Sequence, residues 1–132
     1  MDVRFPGGKR VVAEFDGVRV ETDQPKRAGG QGSAPSPFDL FLASLATCTG
    51  YYVLTFCQKR DIRTDDITLT LSTTRDEESR MLTRIDIRVQ LPEEFPSKYI
   101  DACIKAASQC TVKKHLAHPP DVVVSTDQQR SP

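Results

Sequence analysis

Between Leu40 and Gln58 the chain carries no formal charge, and this run, LFLASLATCTGYYVLTFCQ, limits what everything around it can fold into. Local chemistry specifies its start. Ser36 suits the N-cap, Pro37 the first helical position, where a missing N–H costs nothing, and Asp39, three residues after the cap, completes a capping box. One long helix ending near Gln58 follows. Apolar residues lie on every side of its wheel rather than along one stripe, so it must be covered all round. With Cys48 as reference, the thiol face holds Phe41, Ser44, Leu45, Tyr51, Tyr52 and Thr55. The opposite face holds Ala43, Ala46, Gly50 and Cys57, small enough for another backbone to approach closely.

The 132 residues make about one domain, 1–132, with enough chain for a core but little for wrapping both sides of a central helix, which predicts a homodimer. Eighteen basic residues balance 18 acidic ones, leaving no electrostatic footprint for nucleic acid or an anionic membrane. The uncharged run is long enough to raise a membrane span. Ser44, Thr47, Thr49, Gly50, Thr55 and Gln58 break its apolarity, however, and hairpin-like strands precede it where a signal would need a basic segment, so no membrane is expected. Four cysteines without a secretory signal point to a reducing, cytoplasmic compartment. Their positions, 48, 57, 103 and 110, contain no CxxC, which disfavours structural zinc.

Residues 2–22 read as a three-stranded meander: DVRF, then KRVVAEF, then VRVET after the hairpin signal Asp16-Gly17. DQPKRAGGQGSAP, residues 23–35, is a loop, and no Gly-Lys-Ser/Thr follows its glycines to make a phosphate cradle. After the helix, Lys59 and Arg60 complement its carboxyl end. ITLTLST and MLTRIDIRVQL alternate apolar and polar residues around a charged turn, TRDEESR, and should pair as a hairpin with one wet face. Ser97 to His118 reads as helix with a weak point at Ser108-Gln109. If Ser108 caps a second short helix, Cys110 falls in its first turn, where orphan N–H groups favour thiolate. Pro119-Pro120 ends the element, Val122-Val123-Val124 predicts a last strand, and the tail TDQQRSP should fray.

Cysteine is the residue type whose arrangement points to chemistry. No nucleophile elbow supports a Ser-His-Asp assignment. His115 and His118 read as caps of a helix end, or with Cys110 as an incomplete metal set. A mid-helix cysteine such as Cys48 is by default an inert small hydrophobe. Pairing alters that reading. Cys57 lies roughly 13 Å along the axis from Cys48 on the opposite side, and Cys103 about 10 Å from Cys110 along a continuous helix, both beyond disulfide reach. Only a bond between elements is possible, with Cys48 and Cys110 the natural candidates.

The segment PSPFDLFLASLATCTG, followed 62 residues after its cysteine by QCTVKKHL, resembles the OsmC/Ohr family of bacterial thiol peroxidases, and the order of elements is similar over nearly the whole chain. The resemblance implies an α+β fold: an N-terminal antiparallel meander, a long central buried helix, a second β-hairpin and C-terminal helices, in an intertwined dimer with sites at the interface. It implies reduction of organic hydroperoxides, in oxidative stress defence, with Cys48 as peroxidatic and Cys110 as resolving cysteine. No cofactor is implied beyond an external dithiol reductant such as dihydrolipoamide. Family peroxidases place a glutamate directly after the proline of the helix start; here Phe38 stands there and Asp39 follows. Family members also carry an arginine near the first hairpin that supports the thiolate, for which Arg10 is the match, with Arg4 and Arg19 as alternatives. Phe38, Phe41, Tyr51 and Tyr52 would line the substrate pocket. Phe38 in place of a carboxylate also suits an alternative, a non-peroxidatic relative binding a small apolar or thiol ligand at the interface.

Overall fold

The computed structural model describes residues 1–126, in the order β1 (Asp2–Gly7), β2 (Arg10–Phe15), β3 (Val18–Thr22), α1 (Pro37–Gln58), β4 (Thr68–Arg75), β5 (Leu82–Gln90), α2 (Ile100–Ala107) and α3 (Thr111–Ala117). The fold is the expected α+β arrangement of two small antiparallel sheets and three helices. One expected element is missing. Val122, Val123 and Val124 are irregular and exposed, because β-branched propensity without a partner edge does not make a strand. The fraying expected for the tail falls, from residue 127 onward, outside the described residues.

The first sheet has the order β1-β2-β3. Asp16 and Gly17 form its two-residue turn with φ of 48° and 75°, the positive values that suit strands with right-handed twist. Phe15 therefore faces Val18, and the register runs on to Val11 opposite Thr22. In the second sheet, Leu69 faces Val89, Leu71 faces Ile87 and Thr73 faces Ile85 on the inner side. Thr70, Ser72, Asp86 and Arg88 make up the outer side, where Arg84 and Asp86 pair at 2.6 Å. That face is solvated, as the alternation requires.

The capping box at the start of α1 is complete: the Asp39 N–H donates to Ser36 Oγ at 3.2 Å and the Ser36 N–H donates to Asp39 Oδ2 at 2.9 Å. At the far end the Arg60 guanidinium donates to the Phe56 carbonyl at 3.2 Å and lies 3.8 Å from the centre of the Phe56 ring. Between these ends α1 buries one stripe, Leu45, Thr49, Val53, Phe56 and Cys57. Val53, Phe56 and Cys57 form the core with Phe95, Cys103 and Ala107, flanked by Ile67, Val89 and Leu91. Gly50 passes close to Leu69 of β4. The other stripe, Ala43, Thr47, Tyr51, Leu54 and Gln58, is exposed in the single chain. By length and composition α1 could cross a membrane, yet its inner stripe is the core of a folded domain.

Among the described residues, the first sheet packs substantially on no other helix or strand. What orders its exit is Asp23, 1% exposed. Its carboxylate accepts from the Gln24 N–H at 2.7 Å, the Gln31 N–H at 3.1 Å, and the Ser33 N–H and hydroxyl at 3.0 and 2.8 Å. Gly30 lies against the Gln24 carbonyl, where a Cβ has no room. The Ser33 N–H, followed by the Ser33 hydroxyl and the other two N–H groups, outweighs desolvation and holds the Asp23 carboxyl at about 2. A folded value below the unfolded one means that the stabilisation is fully present above the unfolded value and is lost as pH falls through the folded value. We expect Asp23→Asn to lower Tm at neutral pH and the gap from the parent protein to close as pH falls toward 2, measured by thermal melts across that range. A constant gap would contradict the role given to the carboxylate.

Candidate functional site

Cys48 is half-buried in the middle of α1, and Cys110 is fully buried at the N-cap of α3. The break between α2 and α3 sits where expected, but its chemistry differs. Ser108 closes α2, its hydroxyl donating to the Ile104 carbonyl at 3.0 Å, and Cys110 itself caps α3, with the Lys113 N–H donating to its sulfur at 3.4 Å. Ser108 is therefore an end rather than a start, because the chain needs the turn through Gln109 before extended backbone at Cys110 can begin the new helix.

A helix start leaves its first N–H groups without partners inside the helix. Lys113 donates its N–H to the Cys110 sulfur, while the Val112 N–H, the Cys110 thiol and the Thr111 N–H favour the thiolate form of Cys48. Desolvation pushes the Cys48 thiol up, but these three groups together outweigh it and hold it below its ordinary value. The arrangement suits a thiolate on Cys48. Thr111 is itself anchored, its hydroxyl 3.0 Å from the Tyr52 hydroxyl and its carbonyl 2.8 Å from His115 Nδ1.

The remaining predicted residues lie elsewhere in the chain. Arg10 is on β2, its guanidinium 3.7 Å from Glu21 and 3.5 Å from the Pro6 carbonyl. Arg4 and Arg19 both pair with Glu14, at 3.5 and 3.0 Å. None of the three is among the groups that act on Cys48 in this chain. Asp39 is committed to the cap, its carboxyl held below the usual range by the Ser36 hydroxyl and N–H. The expected pocket divides in two. Phe38 and Phe41 meet at 5.4 Å at the start of α1 under the Arg75 guanidinium, while Tyr51 and Tyr52 meet edge to face at 5.5 Å, one turn beyond Cys48. A mainly apolar cavity of about 270 Å³ lies between α1, β5, α2 and α3, lined by residues that include Leu45, Thr49, Ile87, Ile104, Lys113 and Leu116 but neither thiol.

A second thiol pair was missed by sequence reasoning. Cys57 and Cys103 are both completely buried in the same core cluster. Desolvation raises both: Cys103, further raised by Cys57, reaches about 11, and Cys57 rises although Cys103 and Arg60 oppose it. The signal was present in the spacing. If Cys48 meets Cys110 across antiparallel helices, nine residues forward on α1 and seven back on the other side bring Cys57 to Cys103.

Residues 30–125 match the family described as OsmC-like protein. No curated protein sequence matches significantly. Among solved structures, a Psychrobacter arcticus protein provisionally described as an osmotic stress induced and detoxification response protein superposes with a TM-score of 0.73 at 24% identity, covering 86% of this chain and 84% of that one. An organic hydroperoxide resistance protein OsmC from Legionella pneumophila gives 0.55 at 21% identity over 87% and 85%. The organic hydroperoxide resistance protein OhrB of Bacillus subtilis gives 0.51 at 22% over 86% and 88%. These likenesses are in fold.

We expect maleimide to label Cys48 first in the native protein, with an alkylation midpoint below the ordinary thiol value, and to reach Cys57 and Cys103 only in denaturant. Peptide mass mapping after short exposures reads this; early labelling of either core thiol would contradict the structure.

Proposed function

Since the chain belongs to the OsmC-like protein family, we propose that it is a thiol-dependent peroxidase that reduces organic hydroperoxides and works as a homodimer in the reducing cytoplasm. The observation that carries this reading is the start of α3, capped by Cys110 and tied at Thr111 to Tyr52 one turn on from Cys48, whose first-turn N–H groups and thiol favour thiolate on Cys48.

In the proposed cycle the Cys48 thiolate attacks the O–O bond of the peroxide. An S–O bond forms, the O–O bond breaks, and the leaving alkoxide takes the Cys110 proton to depart as alcohol. Cys110, now thiolate, attacks the sulfur of the Cys48 sulfenic acid; the S–S bond forms and hydroxide leaves. A dithiol of the dihydrolipoamide type returns both thiols by exchange. A close resolving thiol removes the sulfenic acid before a second peroxide can oxidise it further.

Dimerisation is supported by what a single chain leaves uncovered. Phe38, Tyr51 and Leu54 are 44%, 60% and 40% exposed on α1, and among the described residues the first sheet, carrying Arg10, packs substantially on no other helix or strand. In an intertwined dimer that sheet would lie on the other subunit, bringing Arg10 to the opposite Cys48 and setting Asp39 at the same interface. Phe38, in place of a carboxylate, would give the peroxide an apolar contact.

We expect cumene hydroperoxide to be consumed with dihydrolipoamide as reductant, and the oxidised protein to lose the mass of two hydrogens in a Cys48–Cys110 disulfide. Cys48→Ser should reduce turnover on the order of 10³-fold or more, and Cys110→Ser should leave Cys48 overoxidised after one turnover. If peroxide persists and every thiol survives, the peroxidase reading fails, and ligand binding retained by Cys48→Ser would favour the binding alternative. Sedimentation should give twice the 14.7 kDa chain mass, with Leu54→Lys shifting it toward monomer. A monomeric parent protein at micromolar concentration would remove the dimer.

A further inference from the structure

α3 is lightly anchored for an element that supplies the donors to a reactive sulfur. None of its residues is fully buried. Its first turn must nevertheless stay fixed, because hydrogen bonds to sulfur weaken steeply with distance and misalignment. The direct polar link between the side chains of α1 and α3 is the contact of the Tyr52 hydroxyl with Thr111 Oγ1 at 3.0 Å. Tyr52 follows Cys48 by four residues and so shares its face of α1 one turn on. Thr111, the first residue of α3, is thus tied to α1 through its side chain, one turn on from Cys48.

We propose that Tyr52 is a positioning residue of the thiol site: by holding the Thr111 side chain it keeps the first turn of α3, with its N–H groups, aimed at Cys48. This role deepens the peroxidase reading and rests on it for its purpose, although the geometry concerns thiolate formation alone. It differs from the pocket role expected from sequence, since Tyr52 spends its hydroxyl on α3 rather than presenting it to a ligand. The titratable groups around Cys48 are Cys110 and Lys113 in the first turn of α3, His115 with its Nδ1 on the Thr111 carbonyl, and Tyr51 beside Tyr52 on α1. No charged side chain is among the causes acting on Cys48.

The test is the pH profile of Cys48 alkylation, resolved by peptide mass in the full-length protein and repeated in a His115→Gln background to remove that titration. Tyr52→Phe should move the midpoint upward and slow alkylation at neutral pH by about threefold to tenfold, as loss of one supporting hydrogen bond implies. Thr111→Val should do the same, Thr111→Ser should restore the parent profile, and Tyr52→Phe with Thr111→Val should be no worse than either alone. The threonine series decides the matter even if Tyr52→Phe folds poorly. An unmoved midpoint overturns the proposal, whether it comes with a lower Tm, as for a structural residue, or a higher KM for peroxide, as for a pocket residue. A parent protein that consumed no peroxide would defeat the peroxidase reading while leaving the midpoint comparison to decide the role of Tyr52.

Discussion

The structure depends on one constraint: a helix of 22 residues, uncharged from Leu40 onward, needs an apolar surround that its own chain provides only in part. α2 and the second sheet cover the stripe from Leu45 to Cys57. The stripe from Ala43 to Gln58 stays open. Burying one large apolar side chain is worth about 1.5–3 kcal/mol, whereas association costs roughly 4–15 kcal/mol before any contact repays it. Tyr51, Leu54 and Phe38 alone are therefore a thin basis for a dimer. The exposed Val3, Phe5 and Val18 of the first sheet add to them, so the proposed partner must cover the helix and receive the sheet together. Simple back-to-back packing of two helices would leave half of the problem unsolved.

The same helix carries the proposed chemistry, because Cys48 lies where a second helix begins. A helix start normally satisfies its orphan N–H groups with an oxygen from Ser, Thr, Asp or Asn, and sulfur is a weaker acceptor. Cys110 at the N-cap is consequently a poor choice for stability, with Ser108 and Thr111 nearby as oxygen-bearing alternatives. Local rules broken without a compensating gain in packing are expected at functional sites. What the cap gains is a second thiol at the helix start, which favours the thiolate form of Cys48.

Much of this was legible in the chain. The capping box of Ser36 and Asp39, the Asp16-Gly17 turn and the register of β4 with β5 all rest on short-range rules, and each formed as its residues dictate. The misses share a cause. Val122 to Val124 have strand propensity but no edge to pair with, Ser108 has capping chemistry but sits where α2 still needs closing, and Cys57 finds Cys103 only once the direction of the helix pair is known. Each depends on a partner distant in sequence. Arg10 and Asp39 are the same difficulty in another form: their residue types suit the chemistry, but one chain holds both away from Cys48.

The two thiol pairs also serve as each other's control. Both link α1 to the helices that follow β5, yet their environments drive them in opposite directions. Around Cys57 and Cys103 there are aromatic and aliphatic side chains, and desolvation outweighs the pull of Cys103 on Cys57 and of Arg60 on both, so both thiols are pushed up. Around Cys48 the desolvation is opposed by two N–H groups and a thiol. A cysteine pair alone therefore does not mark the reactive centre in this fold. The start of α3 is what sets Cys48 apart, so the anchoring of that short helix, and not the cysteine count, is the feature on which the proposed reactivity turns.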